Sequence, residues 1–275
     1  MTTKPLLPTP EPFLKWAGGK RWLVNQHARL FPYVYGRYVE PFLGSGAVFF
    51  YLQPQEAVLS DSNAELVNAY QVLRAHPEKI QRLLRRYHRQ HSSDFYYRWR
   101  KRRPFNPLHQ AARFLYLNRV CFNGLFRVNL RGEFNVPIGT KTEVSYPRGF
   151  LQSVSRLLQR AQVVQADFED IIDQTERGDF VYVDPPYTVM HNNNNFLKYN
   201  DVLFSWADQI RLAASVQRAT KRGVLILVSN ADHLSVRQLY RGFGFANTLE
   251  RESILAGDTT ARRGTSEVAF RNYRI

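Results

Sequence analysis

Between Phe180 and Tyr187 the chain reads Phe-Val-Tyr-Val-Asp-Pro-Pro-Tyr. Four apolar, β-favouring residues run straight into an acid and two prolines. The apolar half predicts a buried central strand of a parallel sheet. Pro185 and Pro186 bring no amide hydrogen, so the ladder stops at them. Asp184 and Tyr187 then stand on a stiff corner at the strand's carboxyl end, where open α/β sheets receive their ligands. Alone, such a stretch is equally well an ordinary strand end with a proline turn. The rest of the chain has to discriminate.

A chain of 275 residues allows one large domain, or one core with a sizeable insertion. Its formal net charge of +15 attracts polyanions, so nucleic acid is the first partner to consider. An anionic membrane surface is the second, but the basic residues form no clear amphipathic helix. No apolar run reaches the roughly 20 residues that span a bilayer. Residues 1–12 hold four prolines and no hydrophobic signal core, and read as a flexible tail. The single Cys121 excludes an intramolecular disulfide and a cysteine-cluster zinc site. No metal is expected, and the expected setting is cytoplasmic, as a monomer by default.

Several stretches look suited to a nucleotide-like ligand. Lys15-Trp16-Ala17-Gly18-Gly19-Lys20 pairs glycines with a lysine, which suits a turn that brings amides and an ammonium near an anion. It lacks the spacing of a P-loop. Tyr38-Val39 ends a short strand before Glu40-Pro41-Phe42-Leu43-Gly44-Ser45-Gly46, and a helix over 47–52 follows. Strand, glycine turn and helix make a nucleotide-binding corner; the missing third glycine disfavours NAD. Asp61 follows Gly46 by 15 residues, at the end of a second strand, where a ribose hydroxyl pair is bound. Asp61 or Ser62 can equally cap the helix predicted over 64–73.

Residues 77–144 change character. Arg82, Arg85, Arg86, Arg89, Arg98, Arg100, Lys101, Arg102 and Arg103 are interleaved with Tyr87, Tyr96, Tyr97 and Trp99. The density favours a phosphate-contacting surface over a merely solvated helix face. A helix over 108–120 leads into 118–139, whose Asn-Gly and Arg-Gly turns predict a β-hairpin. The α/β rhythm then returns. Strands are predicted over 163–166, 180–183 and 224–229, a helix over 206–220 with Ser205 and Asp208 as a capping pair, and an antiparallel pair over 245–254 and 267–273.

In this order the motifs resemble the Dam-type DNA adenine-N6 methyltransferases. FLKWAGGK at 13–20 is similar to the family's N-terminal cofactor motif, EPFLGSG at 40–46 to its glycine motif and DSN at 61–63 to its ribose motif. Asp167-Phe168 stand at a further cofactor-side motif, and DPPY at 184–187 is similar to the catalytic signature. LNRVCFNGLFRVNLRGEFNVPIG at 117–139 is the most specific stretch, resembling the family's DNA-reading segment. The resemblance implies a Rossmann-like S-adenosylmethionine-dependent α/β sheet carrying an inserted, mainly helical recognition domain. Residues 13–76 and 145–275 are then the catalytic domain, and 77–144 the target-recognition domain with its hairpin.

The resemblance further implies methyl transfer from S-adenosylmethionine to N6 of a flipped-out adenine in double-stranded DNA, at GATC, with S-adenosylhomocysteine released. Restriction–modification, replication or repair are the settings such a mark serves. Cofactor contacts are implied for Trp16, Ala17, Gly18, Lys20, Glu40, Pro41, Phe42, Gly44, Gly46, Asp61, Asn63, Asp167, Phe168 and Asp184. Catalysis falls to Asp184, Pro185 and Tyr187. DNA contacts are implied for Lys15, Arg102, Asn118, Arg119, Phe122, Asn123, Leu125, Arg127, Asn129, Asn135 and Pro137. A loop over 188–200, with Phe196 and Tyr199, is expected to close over the base. A different acceptor, such as cytosine N4 or adenine in RNA, is disfavoured by Asp184 and by segment 117–139. A DNA-binding protein without activity is disfavoured by the complete set of motifs.

Overall fold

The computed structural model describes residues 8–129, 131–189, 204–251 and 265–275. The expected closing loop, with Phe196 and Tyr199, lies outside them. Seven strands are present: β1 (Tyr38–Glu40), β2 (Ala57–Asp61), β3 (Ala161–Gln165), β4 (Phe180–Val183), β5 (Leu225–Ala231), β6 (Phe245–Arg251) and β7 (Thr265–Arg271). They form one sheet in the order β3-β2-β1-β4-β5-β7-β6. β2 pairs with β3, β1 with β4 and β4 with β5 in parallel. β7 runs antiparallel to both β5 and β6. The mixed α/β class read from the sequence is therefore the one observed. The described chain divides into two compact units, residues 1–21 with 43–165 and residues 22–42 with 166–275.

The first unit holds β2 and β3 and most of the helices. A short helix, α1 (Arg21–Gln26), precedes β1; after the glycine corner comes α2 (Ala47–Leu52), and after β2 comes α3 (Ala64–Ala75). Asn63 caps α3, accepting from the Leu66 amide at 3.0 Å. The cap was expected one or two residues earlier, at Asp61 or Ser62. Asp61 is instead engaged by other amides, described below.

Four helices, α4 (Pro77–Gln90), α5 (Ser93–Lys101), α6 (Pro107–Val120) and α7 (Phe150–Leu158), complete the unit. They sort the interleaved residues by chemistry. Tyr87, Phe95, Tyr96 and Tyr116 are buried, with Tyr87 packed 4.5 Å from Trp99 between ring centroids. Arg82, Arg85, Arg86 and Arg89 stay exposed on α4. The aromatics thus form a helical core beneath the cations, and Tyr87 and Tyr96 are no stacking surface for bases. Arg113 also turns inward, donating to the carbonyls of Trp99 and Arg100 at 2.9 and 2.7 Å.

In the second unit β4 is buried along its whole length. Its first residue sits in an aromatic cluster with Phe31, Tyr38 and Tyr273. The Arg37–Asp179 ion pair, at 2.7 Å, ties the entry of β4 to that of β1. α8 (Phe168–Asp173), α9 (Trp206–Lys221) and α10 (Leu234–Leu239) accompany the strands. α9 begins with the expected capping box between Ser205 and Asp208.

The expected hairpin over 118–139 takes a looser form. Two isolated antiparallel bridges, Cys121 with Ile138 and Val128 with Phe134, replace a continuous ladder. Asn123 and Gly124 are both left-handed, at φ 55° and 66°, within a short 3-10 turn over Phe122–Gly124. Asn118 holds the base of this segment. It is 2% exposed; its Oδ1 accepts from the Lys15 amide at 3.0 Å, and its Nδ2 donates to the carbonyls of Lys15 and Gly124 at 2.8 and 3.2 Å. Gly124 fits because a β-carbon there would lie 2.4 Å from the Lys15 side chain. Asn118→Ala leaves buried backbone groups without partners. It should lower stability by about 1–3 kcal/mol in chemical denaturation. An unchanged midpoint would show that the clamp contributes nothing.

Candidate active site

In the first unit the glycine corner is built around one carboxylate. Asp61 Oδ2 accepts from the Gly44 amide at 3.1 Å, and Oδ1 from the Asn63 amide at 3.0 Å. Burial pushes the Asp61 carboxyl above the ordinary carboxylate range, and the amides of Asn63, Gly44 and Ser62 oppose that rise. A carboxylate has about four acceptor positions. The Gly44, Asn63 and Ser62 amides take up part of that capacity, and what is left can accept from a ligand hydroxyl. Gly44 and Gly46 both have positive φ, at 47° and 64°. A β-carbon on Gly44 would sit 2.8 Å from the Trp16 indole. Tyr70 donates to the Gly44 carbonyl at 3.1 Å and fixes the back of the turn.

Trp16 is half-buried. It stacks on Phe126 with centroids 5.3 Å apart and planes 20° from parallel. Its indole thus lies against the glycine corner and against the 117–139 segment in the same unit. The Ala17-Gly18 turn is exposed and closes with the Gly19 amide on the Trp16 carbonyl at 3.2 Å. Lys20 is buried and donates to the Gly18 carbonyl at 3.2 Å.

The segment 117–139 presents a mixed face. Phe122 is 54% exposed, and Asn123, Arg127 and Pro137 are exposed beside it. Leu125, Asn129 and Asn135 are half-buried. Arg127 Nε donates to Asn135 Oδ1 at 2.9 Å. Among the described residues nothing binds its two terminal amino groups, so the planar fork is aligned and available. Asn129 donates to Glu133 at 2.9 Å and shapes the tip. Two residues read as DNA contacts are used inward. Asn118 is the buried clamp. Arg119 lies 4.0 Å over the Tyr146 ring and donates to the Glu143 carbonyl. Lys15 and Arg102 are exposed, with the Arg102 guanidinium 5.0 Å over Trp99.

The second unit carries the proline corner. Glu40 and Pro41, at the end of β1, are buried, and Glu40 accepts from the Tyr38 hydroxyl at 2.9 Å. Phe42 is half-buried and stacks on Phe168 at 5.4 Å. Phe168 is buried, with the Arg211 guanidinium 4.5 Å over its ring. Asp167 is exposed; it caps α8 and pairs with Arg211 at 2.9 Å. Beyond β4, Asp184 is half-exposed and Pro185 buried.

Polar residues that no motif marked hold this corner. Gln209 donates to the Pro186 carbonyl at 3.5 Å, and Asn230 in turn donates to Gln209 at 3.1 Å. Both amides are fully buried. Tyr187 donates to Glu267 on β7 at 2.5 Å. Burial, then the charges of Asp184 and Glu267, hold the Tyr187 phenol well above its ordinary range, so it stays a donor. Among the described residues no donor reaches the Pro185 carbonyl. Their only sequence signal is polarity inside an apolar strand or helix face, as in Asn230 after Leu-Ile-Leu-Val-Ser.

Among the described residues no group of three or more His, Cys, Asp or Glu could hold a metal ion, and no helix is long and apolar enough to cross a membrane. The model of the D12 class N6 adenine-specific DNA methyltransferases matches residues 16–254. The chain is 34% identical to the type II methyltransferase M1.LlaDCHI of Lactococcus lactis subsp. cremoris, over 95% of each chain. It is 35% identical to the DNA adenine methylase of Vibrio cholerae, over 84% of each, and 31% identical to that of Escherichia coli K12, over 91% of each. With its mostly parallel seven-stranded sheet, the chain belongs to the D12 class N6 adenine-specific DNA methyltransferase family, whose substrate is DNA and whose activity implies S-adenosylmethionine as methyl donor.

Proposed function

We propose that the chain methylates N6 of adenine within GATC in double-stranded DNA, on a base turned out of the helix, and that it acts as a monomer. The exposed face of Phe122, Asn123, Arg127 and Pro137, held by two bridges and the Asn118 clamp, carries this reading. Its sequence resembles the GATC-reading segment of the Dam-type enzymes. By role, 77–144 is then the target-recognition domain, and 13–76 with 145–275 the catalytic domain.

S-adenosylmethionine, when bound, supplies an electrophilic methyl on a sulfonium. Its ribose suits the open acceptor positions of Asp61, and the tight Gly44 turn suits close backbone approach. Trp16, Ala17, Gly18 and Lys20 are assigned to its methionine end. Glu40, Pro41, Phe42, Gly46 and Asn63 are assigned to further cofactor contacts, and Asp167 and Phe168 to its adenine.

The adenine amino nitrogen is a poor nucleophile because its lone pair is delocalised into the ring. An ionised Asp184 and the Pro185 carbonyl can each accept one amino hydrogen. Two acceptors so placed favour a tetrahedral nitrogen, which is the transition-state geometry. Gln209 occupies the neighbouring Pro186 carbonyl, so the corner cannot easily rotate. The Tyr187 ring provides a stacking face, worth about 1–3 kcal/mol per base on general grounds. That offsets the few kcal/mol needed to turn a base out.

Backbone grip is assigned to Lys15, Arg102 and the α4 groove lined by Lys79, Arg82, Arg85, Arg86 and Arg89. None of these five forms an ion pair among the described residues. Leu125, Asn129 and Asn135, half-buried in the same segment, are assigned to DNA contact beside that face. Asn118 and Arg119, first read as DNA contacts, are assigned to hold that face in place.

Plasmid DNA treated with enzyme and S-adenosylmethionine should become resistant to a GATC cutter blocked by N6-methyladenine. It should become sensitive to one that requires it. Unaltered cutting by both would refute the target, and nucleoside mass analysis of the same DNA would still report adenine methylation elsewhere. Arg127→Ala should cost about 1–3 kcal/mol on GATC duplexes and relax choice at one guanine. Equal loss on scrambled DNA would make Arg127 a phosphate contact instead.

A further inference from the structure

We infer that Glu267 is a positioning residue for methyl transfer: its carboxylate locks the Tyr187 hydroxyl and so fixes the plane of the ring that receives the target adenine. The inference rests on the reading of Tyr187 as the stacking face. Tyr187 lies on the loop that leaves β4 after two prolines, beyond the last strand residue Val183. Its ring must nevertheless be held at a defined angle, because the base it receives has to put N6 near Asp184.

Glu267 is well placed to supply that constraint. It stands on β7, opposite Ala231 at the end of β5. It is 6% exposed, and its Oε2 accepts from the Tyr187 hydroxyl at 2.5 Å. A bond between a phenol and a buried carboxylate is among the stronger kinds. It uses the one proton that the tyrosine hydroxyl can donate. Tyr187 therefore acts through its ring, with the hydroxyl serving as the anchor. A parallel bond one step inward, Tyr182 to Ser229 at 2.8 Å, ties the ring of β4 to β5 in the same manner. The strand and its exit are thus each braced sideways by a phenol.

The test is a cycle of variants in the full-length enzyme, read by single-turnover methylation of a GATC duplex, with DNA and S-adenosylmethionine affinities measured in parallel. Glu267→Ala and Tyr187→Phe should each slow methyl transfer about tenfold, the scale of one charge-assisted hydrogen bond, with both affinities within about twofold of the parent. The double variant should be no slower than either single one. Glu267→Gln should recover most of the rate, because its amide oxygen still accepts the phenol proton. Losses that multiply in the double variant would overturn the inference, as would a parental rate in Tyr187→Phe. Should Glu267→Ala fail to fold, the Tyr187→Phe and Glu267→Gln rates still decide. Tyr187→Ala separates the two levels. A parental rate there defeats the stacking reading itself, whereas a large loss there beside a parental rate in Glu267→Ala defeats only the role of Glu267.

Discussion

Most of the second unit depends on β4 being buried on both sides and stopped abruptly. Val181 and Val183 cannot reach water, and parallel ladders to β1 and β5 satisfy the strand's backbone groups. Two prolines then end the ladder without leaving amide donors unpaired. The first side chain past the apolar run is a carboxylate at the rim of the sheet. An ionised carboxylate at that point is costly unless it is partly solvated or paired. Its half-exposed position satisfies this. On the proposed reading, the chemistry grows out of how a buried strand can end.

The first unit answers a different constraint. On the proposed reading, its glycine corner has to bring backbone close to a ligand while keeping its amides satisfied. Asp61 does both, because one carboxylate fixes the Gly44 and Asn63 amides and keeps acceptor capacity for hydroxyls. Trp16 lies against that corner and against Phe126 of the segment assigned to DNA. A shift of the indole would thus be felt at both places, within one unit.

The sequence was most legible where function and local structure coincide. β4, its proline corner, the glycine turn, α2 and the Ser205–Asp208 box follow from short patterns. Patterns failed where partners are far apart in the chain. Asn118 looks like a base reader by residue type, yet its neighbours are Lys15 and Gly124, and burial makes it a clamp. Tyr87 and Tyr96 alternate with arginines in sequence, but helical geometry sends the rings inward and the cations outward. Glu267, Gln209 and Asn230 carry no motif at all. Their meaning appears only when β5, β7 and α9 are packed beside Tyr187 and Pro186. Asn123 and Gly124 take the left-handed backbone that an Asn-Gly pair favours, but within a short 3-10 turn over Phe122–Gly124, and two isolated bridges stand where a ladder was predicted.

The central claim is that Asp184 acts on the adenine amino group and does not serve merely to bind. Asp184→Asn tests it most directly, because the amide keeps the shape and an acceptor oxygen but removes the negative charge that strengthens the bond to the amino hydrogen. Single-turnover methylation by this variant should fall by about 10²–10³-fold, the scale of removing one preorganised electrostatic contact. DNA affinity should stay near the parental value. A parental methylation rate, or a loss traced wholly to weaker DNA or cofactor binding, would contradict the account.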